Sequence, residues 1–238
     1  MTGVESLWSY LSATPLLWLT ATVVAYLLSD RTARSLGYPP WANPVLMSVL
    51  LIAPVLWLSG TTYDVYFDGA QFIHFLLGPA TVALALPLWD NREMIRRSVA
   101  PILFALLAGS VVAAGSAILM ARGFGLPTEI ILSLGPKSTT APVALGISEA
   151  IGGIPTLTAV LVILTGIIGA VTVTPLMTLL RIRDWRARGF AVGIAAHGIG
   201  TARAFQVNQV AGAYAGIAMA LNALLTSMIV PALVRWLM

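Results

Sequence analysis

The sequence predicts an all-α, polytopic membrane protein with about seven to eight hydrophobic segments. Of its 238 residues, 58% are hydrophobic and 9% are charged, whereas a soluble domain carries about 25% charged residues. A globule of this length has too little interior to hide so much apolar surface, and too few charges to solvate its exterior. These numbers exclude soluble enzymes, disordered proteins and nucleic-acid-binding modules, and they make the lipid bilayer the first expected partner.

The apolar runs account for most of the chain, so residues 1–238 are expected to form a single membrane domain. Most runs approach the roughly 20 residues that a helix needs to span a bilayer. The chain has no cysteine, which excludes disulfides, thiolate catalysis and cysteine-bound metals. The runs lie near residues 14–29, 44–60, 69–89, 99–121, 128–151, 154–180, 187–207 and 209–237.

Two of the runs are interrupted near their middle. Run 128–151 contains Gly-Pro-Lys-Ser-Thr-Thr-Ala-Pro at residues 135–142, and run 187–207 contains His-Gly-Ile-Gly-Thr-Ala-Arg at residues 197–203. Proline removes a backbone donor and clashes with the preceding turn. Non-helical backbone at membrane depth persists only where it is buried in protein or lines a wet cavity. Both runs are therefore predicted to be discontinuous or re-entrant helices.

The charges of the loops favour a re-entrant hairpin for run 128–151. Loops 90–98 and 181–188 are rich in arginine, and loops of this kind face the cytoplasm. The two loops lie on the same side only if run 128–151 enters and leaves the membrane at one face. For run 187–207 the sequence leaves both crossing and turning back open.

A short segment earlier in the chain is similar to one of the interrupted runs. Leu-Gly-Pro at residues 77–79 is followed by a threonine, and Leu-Gly-Pro at residues 134–136 is followed by several hydroxyls. Paired interrupted segments in two halves of a chain are typical of inverted repeats around a binding site. An inverted repeat is therefore an open alternative for this protein.

Ionisable and hydroxyl groups in the apolar runs are the candidate substrate-binding residues. A charged side chain at bilayer depth is costly, and it usually faces a cavity and has a function there. Lys137 can supply charge for a small anion, and Arg203 can hold a carboxylate through two parallel hydrogen bonds. The remaining members of the predicted substrate-binding set are Ser138, Thr139, Thr140, His197, Gly200, Thr201 and Asn222.

Each of these candidates also has a simpler structural explanation. Lys137 fits an interfacial lysine that extends to the membrane surface, Arg203 fits an ordinary arginine at a helix end, and Asn222 fits a residue that bonds across helices. His197 and Glu149 are candidates for carrying a coupling proton. Their simpler explanations are a histidine packed in the protein and a carboxylate in a loop. No catalytic pair and no metal-ligand spacing is found, so neither catalytic residues nor a metal is expected.

Long motifs within residues 61–238 resemble the LrgB/CidB family of bacterial membrane proteins. The resemblance does not depend on residues 1–60, which match the family only in hydropathy. A similar domain occurs in the plant plastidial glycolate/glycerate translocator. The motifs that carry the resemblance lie at residues 77–85, 136–142, 151–159 and 197–204.

The resemblance implies a multi-pass protein of the bacterial cytoplasmic membrane, with one of two functions. One is a secondary transporter of small monocarboxylates such as glycolate, glycerate or pyruvate, with protons or sodium as candidate coupling ions. The other is an antiholin-like regulator of murein hydrolase export and autolysis that acts with an LrgA/CidA-type partner. Charges inside the membrane favour the carrier, because a regulator that acts by surface contacts does not need them. Neither function is enzymatic or requires a cofactor, and a homodimer is the simplest assembly.

Overall fold

The computed structural model describes residues 14–76, 79, 82–83, 85–90 and 92–237, which lie in helices or in the connections between them. The all-α fold is the one that the sequence predicts. The chain divides into two compact units, Met1–Thr81 and Val82–Met238, and each is described by itself. The Leu-Gly-Pro segment near residue 78 falls largely outside the described residues, so its repeat relation stays a prediction, as does the single membrane domain.

The described part of the first unit consists of three helices, of which the first packs against the other two. Trp18 of the first helix is almost fully buried and meets Tyr66 of the third edge to face, with ring centroids 6.0 Å apart. The hydroxyls of Thr22 and Tyr66 lie 3.1 Å apart. The first helix extends beyond its apolar run through a turn stabilised by an Asp30–Arg34 ion pair of 2.6 Å. The helices are α1 Pro15–Ser35, α2 Pro44–Ser59 and α3 Tyr63–Phe75.

Among the described residues of the second unit, three helices are long and apolar enough to span a membrane: α6 Val99–Gly123, α9 Pro155–Leu179 and α11 Gln209–Leu237. Two short helices precede α6, and the two interrupted runs connect the three long helices. The chain therefore alternates between a long helix and an interrupted segment. In order, the elements are α4 Ala85–Asp90, α5 Arg92–Arg97, α6 Val99–Gly123, α7 Thr128–Leu134, α8 Ala141–Ile151, α9 Pro155–Leu179, α10 Trp185–Val207 and α11 Gln209–Leu237.

Residues 128–151 form a re-entrant hairpin, hairpin A, in which α7 and α8 are joined by a non-helical tip. Ile131 of α7 and Ile147 of α8 belong to two hydrophobic clusters, each of which includes residues from the last turns of α11. The tip lies half-way along α11, where the Asn222 side chain donates to the Ser138 carbonyl over 3.2 Å. Both legs therefore run between one end of the unit and its middle, which confirms the re-entrant alternative.

Helix α10 is a second hairpin, hairpin B, because two residues in its middle leave the helical region. Ala196 has φ −132° and His197 has φ 40° and ψ −135°. Gly189 on the first leg and Phe205 on the second leg both contact the first turn of α11. The two legs therefore begin and end at the same depth, so run 187–207 turns back and does not cross.

The two hairpins enter the second unit from opposite ends, and their tips meet near its middle. Hairpin A has its base beside the end of α11, and hairpin B has its base beside the beginning of α11. Helix α9 connects these two ends and runs opposite to α6 and α11. The pair formed by α6 with hairpin A and the pair formed by α9 with hairpin B thus have opposite orientations. This inversion involves other segments than the Leu-Gly-Pro pair of the sequence, whose relation is untested.

The ends of the second unit differ in charge. We call the end where α6 begins and hairpin B has its base the basic end. Because hairpin B turns back and α11 then crosses, Arg235 lies at the opposite end, where Arg122 donates to the carbonyl of Leu237. The basic end carries Arg92, Arg96, Arg97, Arg181, Arg183, Arg186 and Arg188.

Candidate binding site at the hairpin tips

The side chain of Asn222 joins the two hairpin tips to the helices around them. It is 1% exposed and lies close to the middle of α11. Its amide nitrogen donates to the carbonyls of Ser138 at 3.2 Å and Ile194 at 3.3 Å. Its amide oxygen accepts from Ser110 at 2.6 Å and Thr226 at 3.1 Å. Four bonds use two donors and two acceptor positions, the full capacity of an amide, so this geometry favours the cross-helix role.

The tip of hairpin A places a lysine beside two buried hydroxyls without protein partners. Lys137 is partly buried, and its Nζ lies 3.4 Å from the hydroxyl of Ser138. The hydroxyls of Thr139 and Thr140 are buried and form no hydrogen bond within the part of the chain that the structure describes. A buried polar group without a partner costs about 1–3 kcal/mol, a cost that a ligand bonded to these hydroxyls would remove.

Two helix N-termini also point towards the middle of the unit. Helix α8 begins at the tip of hairpin A after Thr140, whose side chain forms no capping bond. The second leg of hairpin B begins at the opposite tip after the kink at His197. The first N–H groups of a helix lack partners within it, and they carry a partial positive charge. Together with Lys137 they provide an environment suited to a small anion.

His197 is fixed by its own hairpin and by α9. Its Nε2 lies 2.9 Å from the carbonyl of Val162, and its ring occupies space left by Gly166, where a Cβ would lie 2.6 Å from the ring Cε1. A non-glycine residue with positive φ is uncommon and is held only by its surroundings. The histidine therefore has the structural partner that the packed-residue alternative requires.

Gly200 and Thr201 stabilise the fold of hairpin B. The Thr201 hydroxyl donates to the His197 carbonyl at 2.8 Å and lies 3.8 Å from the Met219 sulfur. A Cβ at Gly200 would lie 2.6 Å from the Cβ of Ala196, so this glycine allows the second leg to approach the first. These contacts account for both residues by packing, and their part in substrate binding stays a prediction.

Arg203 lies away from the tips, near the base of hairpin B. It follows His197 by about 9 Å along the helix axis, at 1.5 Å per residue. Its side chain is 6% exposed and lines a small cavity together with Thr174, Trp185 and Arg188. The structure therefore places the two predicted carboxylate-binding cations, Lys137 and Arg203, in different surroundings.

Glu149 lies on the exposed surface of α8, close to the base of hairpin A. The ion pairs found in the described parts of the chain do not connect it to Lys137, and its proton-coupling role stays a prediction. Among the described residues no group of three or more His, Asp or Glu side chains could hold a metal ion. The polar groups gathered at the tips are hydroxyls, an amide, an imidazole and an ammonium.

Sequence reasoning missed a buried hydroxyl cluster that fixes the base of hairpin A. Thr158 donates to the hydroxyl of Ser148 at 2.7 Å, and Ser133 accepts from the backbone N–H of Ile154 at 2.8 Å. A Cβ at Gly153 would lie 2.5 Å from the Ser148 hydroxyl. The Gly-Gly-Ile-Pro-x-Leu-Thr motif at residues 152–158 is therefore a packing motif. The spacing of Thr158 from the two glycines is the sequence feature that could have indicated this cluster.

Comparison with known proteins places these features in one family. The LrgB-like family matches residues 22–236. The holin-like protein CidB of Staphylococcus aureus (strain Mu50 / ATCC 700699) is 34% identical over 92% of this chain and 95% of its own length. The proteins YxaC and YwbG of Bacillus subtilis (strain 168) are 36% and 34% identical, over 91% and 92% of this chain and 93% and 97% of their own lengths. No solved structure matches. The chain belongs to the LrgB-like family.

Proposed function

We propose that this protein is a secondary transporter of small monocarboxylates of the glycolate, glycerate or pyruvate type. The proposal rests on one observation above all. Two hairpins from opposite ends bring a lysine, two helix N-termini and two threonine hydroxyls to the middle of the unit, and these hydroxyls form no hydrogen bond to any described residue. A carboxylate would neutralise Lys137, and a hydroxy or keto oxygen would find donors at Thr139 and Thr140. Tips that meet from both ends suit a site reached alternately from either side.

Uptake by proteoliposomes tests this proposal. We expect labelled glycolate or pyruvate to accumulate in vesicles that contain the protein, and Lys137→Met to reduce uptake at least tenfold, because the substrate charge loses its partner. Arg235→Met is the matched control, since it removes the same charge from an exposed position at one end of α11. Uptake by Lys137→Met equal to that of the control would refute the assignment of the site.

The position of Arg203 separates two versions of the transport proposal. If Arg203 binds the substrate at another stage of the cycle, Arg203→Lys should raise KM, because an ammonium cannot reproduce the bidentate grip of a guanidinium. If Arg203 only fixes the base of hairpin B, the variant should lower stability and leave KM unchanged. Thermal unfolding measured beside uptake distinguishes the two versions.

A second candidate function is favoured by the names of relatives. CidB of Staphylococcus aureus is named a holin-like protein, which fits an antiholin-like or holin-like role in murein hydrolase export and autolysis, with an LrgA/CidA-type partner. This function predicts that Lys137→Met leaves autolysis unchanged, whereas changes on lipid-facing surfaces abolish it. The uptake and autolysis of one set of variants therefore decide between the two candidates.

The location and assembly of the protein are part of the proposal. The basic end is assigned to the cytoplasm, because arginine-rich loops stay on that side, in a multi-pass protein of the bacterial cytoplasmic membrane. A homodimer is proposed as the simplest assembly. Labelling of single cysteines introduced at Arg183 and Gly125 from each side of the membrane tests the orientation, and mass measurement in detergent tests the dimer.

A further inference from the structure

A groove of about 620 Å³ runs along α6 and the first leg of hairpin B. Its mouth lies at the basic end, where Ser98, Asp184 and Arg186 line it. Its inner part reaches Ile194 and Ala195, the residues that directly precede the kink of hairpin B. Along α6 the groove covers about 22 Å, which is more than half of a bilayer core. It therefore connects the basic end with the depth of the hairpin tips.

The side chains of the groove differ from those of the lipid-facing side of α6. Phe104, which is 75% exposed, and Leu107 point away from the groove with bulky apolar groups. Small residues recur every four positions on both walls of the groove. Each wall therefore presents one helix face of small side chains to the groove. These residues are Ala105, Gly109 and Ala113 on α6 and Ala187, Ala191 and Ala195 on hairpin B.

Continuity with the candidate site distinguishes this groove from a surface depression. The carbonyl of Ile194, at its inner part, accepts from Asn222, the residue that also binds the tip of hairpin A. Ala195 is exposed although its neighbour Ala196 is fully buried. A solute that moved along the groove would therefore arrive beside the tips, next to the backbone that begins the second leg of hairpin B.

We propose that this groove is the aqueous route by which small carboxylates pass between the basic end and the hairpin tips, an inference that rests on the proposed transport function. The charged mouth keeps the entrance hydrated. The small residues leave space on both walls, and at Gly109 helix α6 approaches hairpin B so closely that a Cβ would lie 3.0 Å from the Ile194 side chain.

Thiol labelling tests the route, since the chain has no cysteine of its own. Single cysteines are introduced as Ala105→Cys and Ala191→Cys in the groove, and as Phe104→Cys at the same depth on the lipid-facing side. A membrane-impermeant, cationic methanethiosulfonate reagent is added to either side of sealed vesicles. Because the reagent needs a hydrated thiolate, we expect the groove positions to react at least tenfold faster than Phe104→Cys, and only from the basic end.

The outcomes separate the route from the transport function. Groove positions that react as slowly as Phe104→Cys would overturn the route, since lipid or a packed helix then fills the groove. Fast labelling from the opposite end would overturn it too. Fast labelling from the basic end supports the route, and slowing of Ala191→Cys labelling by excess pyruvate or glycolate supports it further. Failure of wild-type uptake with fast labelling would refute the transport proposal alone.

Discussion

Replacing Asn222 by alanine should destabilise the protein by about 2–4 kcal/mol. The amide is buried and makes four hydrogen bonds, and polar contacts between membrane helices are worth about 0.6 kcal/mol each, or about 2.4 kcal/mol for four. The hydroxyls of Ser110 and Thr226 can turn to carbonyls of their own helices. The carbonyls of Ser138 and Ile194 lose a donor at the tips, where an unsatisfied group costs about 1–3 kcal/mol.

Unfolding of the detergent-solubilised protein, followed by the fluorescence of its seven tryptophans, measures this cost. Ser227→Ala is the matched control on the same helix, because its exposed hydroxyl donates to the Leu224 carbonyl at 2.7 Å within that helix, and it should change stability by less than about 0.5 kcal/mol. Asn222→Asp should be at least as harmful as alanine, since an ionised carboxylate accepts only and would face two carbonyls. A cost below about 1 kcal/mol for Asn222→Ala would refute the view that this amide holds the tips together.

Three further predictions concern the parts of the structure around the site. Gly166→Ala should cost about 1–3 kcal/mol by displacing the hairpin B histidine, whereas Gly146→Ala, with open space around its Cβ position, should be neutral or stabilising in the same unfolding assay. Thr158→Val should cost about 1–2 kcal/mol because it breaks a buried hydroxyl cluster, and Thr172→Val, whose exposed hydroxyl bonds only within its helix, should cost less than half as much. Hydrogen bonds from its arginine partner lower the pKa of Asp184 to about 2, so the contribution of this exposed pair is fully present above about pH 4 and is lost as the pH falls through 2. Asp184→Asn should therefore slightly lower the melting temperature at pH 7, less so in high salt, and its effect should shrink towards zero as the pH falls below 2.

The sequence predicted hairpin A better than hairpin B, for a physical reason. Two prolines flank Lys137, and each makes a continuous helix costly, so the interruption could be read directly. The charges of loops 90–98 and 181–188 then favoured a segment that turns back. In hairpin B the reversal occurs at Ala196 and His197, and neither residue marks a turn as a proline does, since a non-glycine residue with the positive φ of His197 is uncommon. Only the contacts of Gly189 and Phe205 with α11 show that the chain reverses there.

The candidate site was predictable in its residue types and less so in its spatial arrangement. Lys137, Thr139 and Thr140 lie together at one tip because they are neighbours in sequence. Arg203 follows His197 by six residues, and without knowledge of the reversal nothing in that spacing shows that it lies near the base of the hairpin. Ser110 could not be identified, because a serine in an apolar helix gives no sign of a partner more than one hundred residues away.

The two hydroxyls at the tip of hairpin A offer a test that a purely structural role would not pass. If Thr139 and Thr140 await a ligand, then Thr139→Val should stabilise the protein by about 1 kcal/mol, because it removes a buried hydroxyl that has no partner among the described residues. The same variant should lose most of its uptake. A regulator that works through its surface gains nothing from such unsatisfied groups, so the combination of higher stability with lower uptake is the signature of a binding site. Unfolding and uptake are measured on the same preparation. Thr172→Val is the control, because it makes the same exchange of a hydroxyl for a methyl group elsewhere in the unit. If Thr139→Val lowers stability and leaves uptake intact, the hydroxyl supports the fold, and the tip of hairpin A is not where the substrate binds.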